Sequence, residues 1–314
     1  MKLLLAIILF NITLFATTIQ KPTDQYIADG AVIDMIIDED KLYAATSASC
    51  IDIFDIKSKK IIEKISVTKI KDFMGDEIDS KIYSVDKLKD EILVLSLGKG
   101  GARRIHIYKN KKLNLVIPTS KHLYIAKAKF LDKDNVILGL LSNDIVSYNI
   151  RTKKENWSVQ ASLSKFSDFV LTEKKDKVIV ADESGDLQII NTRDGKHLKT
   201  LSGENLDNVF RVDTKNGIIA TAGQDRRVVV YDANSAYYKI SSFMIYAVGL
   251  SPSGKIVGYA SNENNDVTLF KTNTKSTIGV FGGNKITLTN ILFKNENEFF
   301  VSSDEKTINY YKIK

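Results

Sequence analysis

The chain has 314 residues, 44% of them hydrophobic and 26% charged, with 3 Pro, 17 Gly and a single Cys. These proportions exclude a disordered chain, a collagen-like repeat and a disulfide-stapled scaffold, and they match an ordinary globular protein. The formal charge of +7 is spread along the chain without a block of five like charges, and its basic residues are not interleaved with stacking aromatics, so nucleic acid is not an expected partner.

The first element runs from Met1 to Ala16: Lys2, then an apolar run from Leu3 to Phe15 interrupted by Asn11 and Thr13. The run is shorter than the roughly 20 residues that span a membrane. It reads as a Sec-type signal peptide ending at Ala16 or, if retained, as an N-terminal anchor. No Cys at the boundary could carry a lipid. The remaining 298 residues, from position 17 to 314, are expected to fold outside the cytoplasm as one domain. Cys50 is alone, so that fold has no internal disulfide.

One unit recurs through this body. Its clearest copies are Lys41-LYAATSASCIDIFDIKSKK-Ile61, Val178-IVADESGDLQIINTRDGK-His197 and Ile218-IATAGQDRRVVVYDANSAYYK-Ile240. Each is an apolar strand, a small polar turn, a second strand ending in a large residue, a turn rich in Lys or Asn, and a third strand. The large residues are Phe54, Tyr108, Tyr148, Ile190, Tyr231, Phe270 and Tyr311, spaced by 54, 40, 42, 41, 39 and 41. Four-stranded propeller blades repeat about every 40 to 45 residues. A further apolar stretch precedes each pair of strands, as in Ala31-VIDMIIDED, Phe169-VLTEKKD, Val209-FRVDTKNG and Met244-IYAVGLSPSG, and supplies an innermost strand. Period-two alternation and the lack of helical periodicity make the chain all-β, a seven-bladed β-propeller. The last unit, Thr289 to Lys314, lacks an outer strand, and the N-terminal segment Thr17 to Ile27 is expected to supply it and close the ring.

Catalytic and metal-binding patterns are not found. His106, His122 and His197 fall on a strand of blade two, the connection to blade three and the outer strand of blade four, with no ligand spacing among them. Asp132-Lys133-Asp134-Asn135 begins like a calcium loop but continues with Val136 and Leu138 where oxygen ligands belong. Gly98-KGGARR-Ile105 has the glycines of a phosphate loop without its spacing. No catalytic residue, cofactor site or metal site is assigned. Two features suit binding instead. The long first spacing places an insertion at Thr68-KIKDFMGDEIDS-Lys81, whose Phe73 and Met74 are candidate contacts. Two Arg pairs, Arg103-Arg104 and Arg226-Arg227, end equivalent loops of blades two and five on the face that carries the insertion, and could form a basic rim for an acidic protein.

The repeats resemble WD40 repeats. Tyr231-Asp232 and Phe54-Asp55 are similar to the terminal Trp-Asp pair, and Leu250-SPSGK-Ile256 to the turn after the inner strand. The Gly-His pair is missing throughout, the only Trp, Trp157, lies off the marker position, and Tyr108-Lys109 and Ile190-Asn191 lose the Asp. With its signal peptide and degenerate blades, the chain resembles the periplasmic nitrate reductase accessory proteins of NapL type. The chain is expected to be a periplasmic, non-catalytic protein-binding scaffold, monomeric and without cofactor, and the resemblance implies an accessory role in maturation, assembly or electron delivery, with periplasmic nitrate reductase or its electron-transfer subunits as the partner. The alternatives are a propeller that binds a small molecule or redox cofactor, and a cell-envelope assembly scaffold.

Overall fold

The computed structural model describes residues 18–313; the expected signal peptide lies outside the described residues, as does residue 314. Seven sheets follow one another along the chain, and within each the successive strands are antiparallel neighbours. The innermost strands are Val32–Asp38, Ile82–Leu88, Ile125–Phe130, Phe166–Leu171, Val209–Lys215, Val248–Leu250 and Leu288–Asn295. Each innermost strand touches that of the next blade, and the seventh touches the first, so the sheets form the expected seven-bladed ring.

The residue pattern explains the layering. The second and third strands of a blade lie between two neighbouring sheets and are buried on both faces, so Leu42–Thr46 and Cys50–Phe54 are buried almost without interruption. Outer strands touch the body on one side only, and Lys154–Gln160 is accordingly exposed apart from Trp157 and Val159. All seven marker residues lie on the third strand of their blade. Small side chains allow close approach where blades crowd: a Cβ on Gly249 of the sixth innermost strand would stand 2.2 Å from the Ile291 carbonyl oxygen of the seventh.

The N-terminal segment closes the ring, in two pieces. Asp24–Ile27 runs antiparallel to Thr307–Lys312 as the outer strand of blade seven. Ile19–Gln20 is placed differently from expectation: it adds in parallel to the edge of blade six, with Ile19 opposite Val280 and Gln20 opposite Phe281. Between these pieces Pro22 turns the chain past Gly283. Tyr26 lies 1% exposed between blades seven and one, its ring edge-on to Phe54 and Phe300, and its hydroxyl donates to the Ile56 carbonyl at 2.7 Å.

The missing Gly-His and Trp residues are replaced by another set of buried polar groups in two blades. In blade five, Asn205 Nδ2 donates to the Tyr231 hydroxyl at 3.0 Å, and Thr221 Oγ1 donates to Asn205 Oδ1 at 2.8 Å. In blade seven, the Tyr311 hydroxyl donates to the Gly282 carbonyl at 3.1 Å, and Asn309 Nδ2 donates to Asn284 Oδ1 at 2.7 Å. Asn205 and Asn284 each precede the innermost strand of their blade by four residues. An asparagine on the incoming loop and a tyrosine at the marker thus hold loop to blade where this chain lacks His and Trp.

Candidate functional site

Because strands alternate in direction, the loops joining second to third strands and those joining an outer strand to the next blade share one face, here called the upper face. The sequence insertion is on this face and forms a small hairpin, Ile70–Lys71 paired with Glu77–Ile78. The Asp72 carboxylate shapes its turn by accepting from the backbone N–H groups of Met74 and Asp76. At its tip Phe73 is 96% and Met74 74% exposed, so the two candidate contacts are presented to solvent.

Exposed large apolar side chains are distributed unequally. Nine of the sixteen lie in upper-face loops or on the hairpin, among them Phe73, Met74, Leu163 and Leu206. The other seven lie on outer strands or the N-terminal strands, and among the described residues no loop of the lower face carries one. Single exposed apolar residues are ordinary on protein surfaces, whereas their concentration on one face makes that face the candidate for a contact surface.

The Arg pairs do occupy equivalent places on this face, but three of the four guanidiniums are held within the fold. Arg104 Nη2 donates to the Thr68 carbonyl at 2.8 Å and to Ser80 Oγ at 2.9 Å. Arg227 Nη1 donates to the Glu204 carbonyl at 2.7 Å, and its guanidinium lies 4.0 Å from the Tyr238 ring centroid. Arg103 lies 3.4 Å from the Tyr83 ring centroid. Arg226, in a left-handed turn with φ 65°, is exposed. The structure places Arg104 in space against Thr68 and Ser80, which flank the hairpin, and the second pair three blades away.

Acidic residues dominate the upper-face loops of blades four to six, where Glu183, Asp186, Glu204, Asp207, Asp225 and Glu263 outnumber the two exposed cations without an ion pair among the described residues of those loops, Arg226 and Lys285. Over blades two and three, loops 98–102, 118–124 and 141–143 carry Lys99 and Lys121 and no acidic residue, whereas the insertion leading into blade two carries Asp72, Asp76, Glu77 and Asp79 beside Lys69, Lys71 and Lys81. The face is therefore divided by charge as well as being apolar.

The axis of the ring holds a cavity of about 190 Å³ lined by charged residues that the sequence reading had not singled out. Lys129 donates to Asp34 at 3.0 Å and Lys127 to Asp168 at 2.7 Å. The carboxylates also bind backbone N–H groups of the following blade: Asp34 that of Val85 at 3.0 Å, Asp86 that of Phe130 at 2.7 Å, Asp168 that of Val212 at 3.2 Å, and Asp213 that of Leu250 at 2.8 Å. Each aspartate thus fastens one blade to the next. Burial pushes the Asp34 carboxyl up, but Lys129 and Lys127 outweigh it and hold the group below its ordinary range. Burial prevails at Asp86 and Asp213, which are raised despite Lys129 and Lys215.

One group of potential ligands was not expected from spacing. Atoms of Asp29, Cys50 and Asp52 lie within 4.8 Å of one another. Burial pushes the Cys50 thiol up to about 11, Asp52 Oδ2 accepts from the Asp29 N–H at 2.7 Å, and Asp29 pairs with Lys64 at 2.6 Å, so each group has a partner within the fold. His106, His122 and His197 lie where the repeat put them, on the third strand of blade two, in the loop to blade three and on the outer strand of blade four. Asp132 accepts from the N–H groups of Asp134 and Asn135, closing a tight turn between strands.

No protein-family profile matches this chain, and no curated protein matches it. Among solved structures it is similar to the β-propeller domain of Cps50 (Swd1) from Myceliophteria thermophila, with a TM-score of 0.74 and 13% identity over 93% of this chain and 99% of that one. Likeness at that identity shows the fold alone: a WD40-like seven-bladed β-propeller, an architecture commonly used for non-enzymatic protein binding.

Proposed function

We propose that the protein is a non-catalytic scaffold that binds another protein through its upper face. The observation that carries this reading is the concentration of exposed apolar side chains on that face, with Phe73 and Met74 raised on their own hairpin. The resemblance in sequence directs the search for a client to the periplasmic nitrate reductase system. The exported chain, freed of its signal peptide, would serve there in maturation, assembly or electron delivery.

Cross-linking in cells respiring nitrate, with the protein carrying a photo-reactive group in place of Phe73, tests the client. Capture of the reductase or an electron-transfer subunit is expected, and capture of neither overturns that assignment. Purified protein carrying a stoichiometric chromophore or metal would overturn the scaffold reading in favour of a cofactor-binding propeller.

A further inference from the structure

Two apolar hollows adjoin on the upper face of blades two to four. The first, of about 520 Å³, lies between the hairpin and the glycine-rich loop and is walled by Ile70, Phe73, Ile78 and Leu97, with Gly98 to Gly101 as its floor. The second, of about 510 Å³, is walled by Leu123, Tyr124, Leu140 and Leu141. Their rims meet where a Cβ on Gly101 would stand 3.8 Å from Tyr124 Cε1, and the Arg103 N–H bonds the Leu123 carbonyl at 2.9 Å. Leu163, 96% exposed, is two residues from Lys165 on the second rim.

The linings of the two hollows hold three lysines, Lys71, Lys99 and Lys165, against one carboxylate, Asp72. Lys71 and Lys99 line the first hollow, Lys121 precedes the residues of the second, and none of the three forms an ion pair among the described residues. Lys165 pairs with Glu183 at 3.5 Å on an exposed surface, a weak link that a ligand can replace. The one carboxylate in either lining, Asp72, is occupied by the hairpin turn, and Asp76 and Glu77 line neither hollow. Across the ring, the acidic loops of blades four to six repel a negatively charged ligand.

We propose that these hollows are the docking site for an acidic amphipathic segment of a protein partner. Its apolar side chains fill the two hollows while its carboxylates meet Lys71, Lys99 and Lys121. The proposal rests on the scaffold reading and names the place and chemistry of the contact. The cations it uses are lysines, because Arg103, Arg104 and Arg227 already hold partners within the fold.

Methyl-labelled protein should be titrated with a synthetic amphipathic peptide bearing Leu and Phe on one side and Asp and Glu on the other. A version with Lys at every acidic position and one with Ser at every apolar position serve as comparisons. The acidic amphipathic peptide is expected to shift the methyl signals of Met74, Ile78, Leu141 and Leu163, and the Ser version to shift none. The Lys version and the exposed triple variant Lys71→Glu, Lys99→Glu, Lys121→Glu should each weaken binding by about tenfold or more.

Equal binding of the Lys version, shifts confined to Leu206 or to Ile36 in the axial cavity, or no shift with any peptide would overturn the proposal. So would sedimentation showing a dimer that Phe73→Asp dissociates, since the occupant would then be a second copy of the chain. If the peptide binds here but no reductase subunit is captured, only the client assignment fails. If a client is captured equally well by the triple variant, the groove fails and the scaffold stands.

Discussion

Arg104 and Arg227 each precede a marker tyrosine by four residues, and each guanidinium reaches a carbonyl of the loop that leads into its own blade. A hydrogen bond to a charged group contributes about 1.5–3 kcal/mol. Arg104→Ser should therefore lower the unfolding free energy obtained from urea denaturation by an amount in that range, whereas Arg226→Ser, on the exposed turn, should stay within about 0.5 kcal/mol. Equal stability of the two variants would show that Arg104 is not a structural tie. One pleat along the strand, burial and the neighbouring Arg104 charge lower the His106 imidazole to about 4. Because the unfolded chain binds this proton near pH 6.5 and the folded chain only near 4, stability should fall as pH drops between those values, by at most about 3 kcal/mol. His106→Gln should flatten that part of the stability–pH curve measured by urea denaturation. An unchanged slope would assign the effect to other groups.

At the scale of the blade, what replaces the missing Gly-His and Trp residues is a loop asparagine. Asn205→Ala leaves the buried hydroxyls of Tyr231 and Thr221 without it, and each unmet group costs about 1–3 kcal/mol. Adding Tyr231→Phe should restore part of the loss, with a double-mutant coupling of about 1 kcal/mol; strict additivity in urea melts would show that the pair does not act together. The strands themselves were legible because burial between blades imposes apolar runs at a fixed interval, and the marker residues repeat with them. The asparagines were not, since a lone Asn before a strand reads as a turn. The axial aspartates were hidden for a related reason: Asp34 and Val85 are far apart in sequence, and only the ring places the carboxylate beside that N–H. The insertion could be located from one long spacing, but a hairpin of two-residue strands leaves no periodicity to read. The Arg pairs were legible as equivalent positions, while the carbonyls that hold two of them belong to loops of no recognisable pattern.

For the whole molecule, each blade keeps a short edge at its outer strand, and blade seven has its outer strand only while the closing segment is in place. Tyr26 is the side chain through which that strand grips both neighbours, with Phe300 and Tyr310 on one side and Phe54 and the Ile56 carbonyl on the other. Tyr26→Ala removes a fully buried aromatic ring and should cost about 3–5 kcal/mol. Ile19→Ser, in the two-residue parallel strand and 45% exposed, should cost less than about 1 kcal/mol. The single tryptophan makes the consequence measurable at a distance. Trp157 lies on the outer strand of blade three, its indole N–H bonded to the Thr192 carbonyl at 3.1 Å, far around the ring from Tyr26. If the ring unfolds as one unit, Tyr26→Ala should shift the Trp157 fluorescence transition and the far-ultraviolet circular dichroism transition in urea to the same lower midpoint. A Trp157 midpoint that stays at the wild-type value while the dichroism midpoint falls would mean that blade three does not depend on closure and that the ring unfolds in parts.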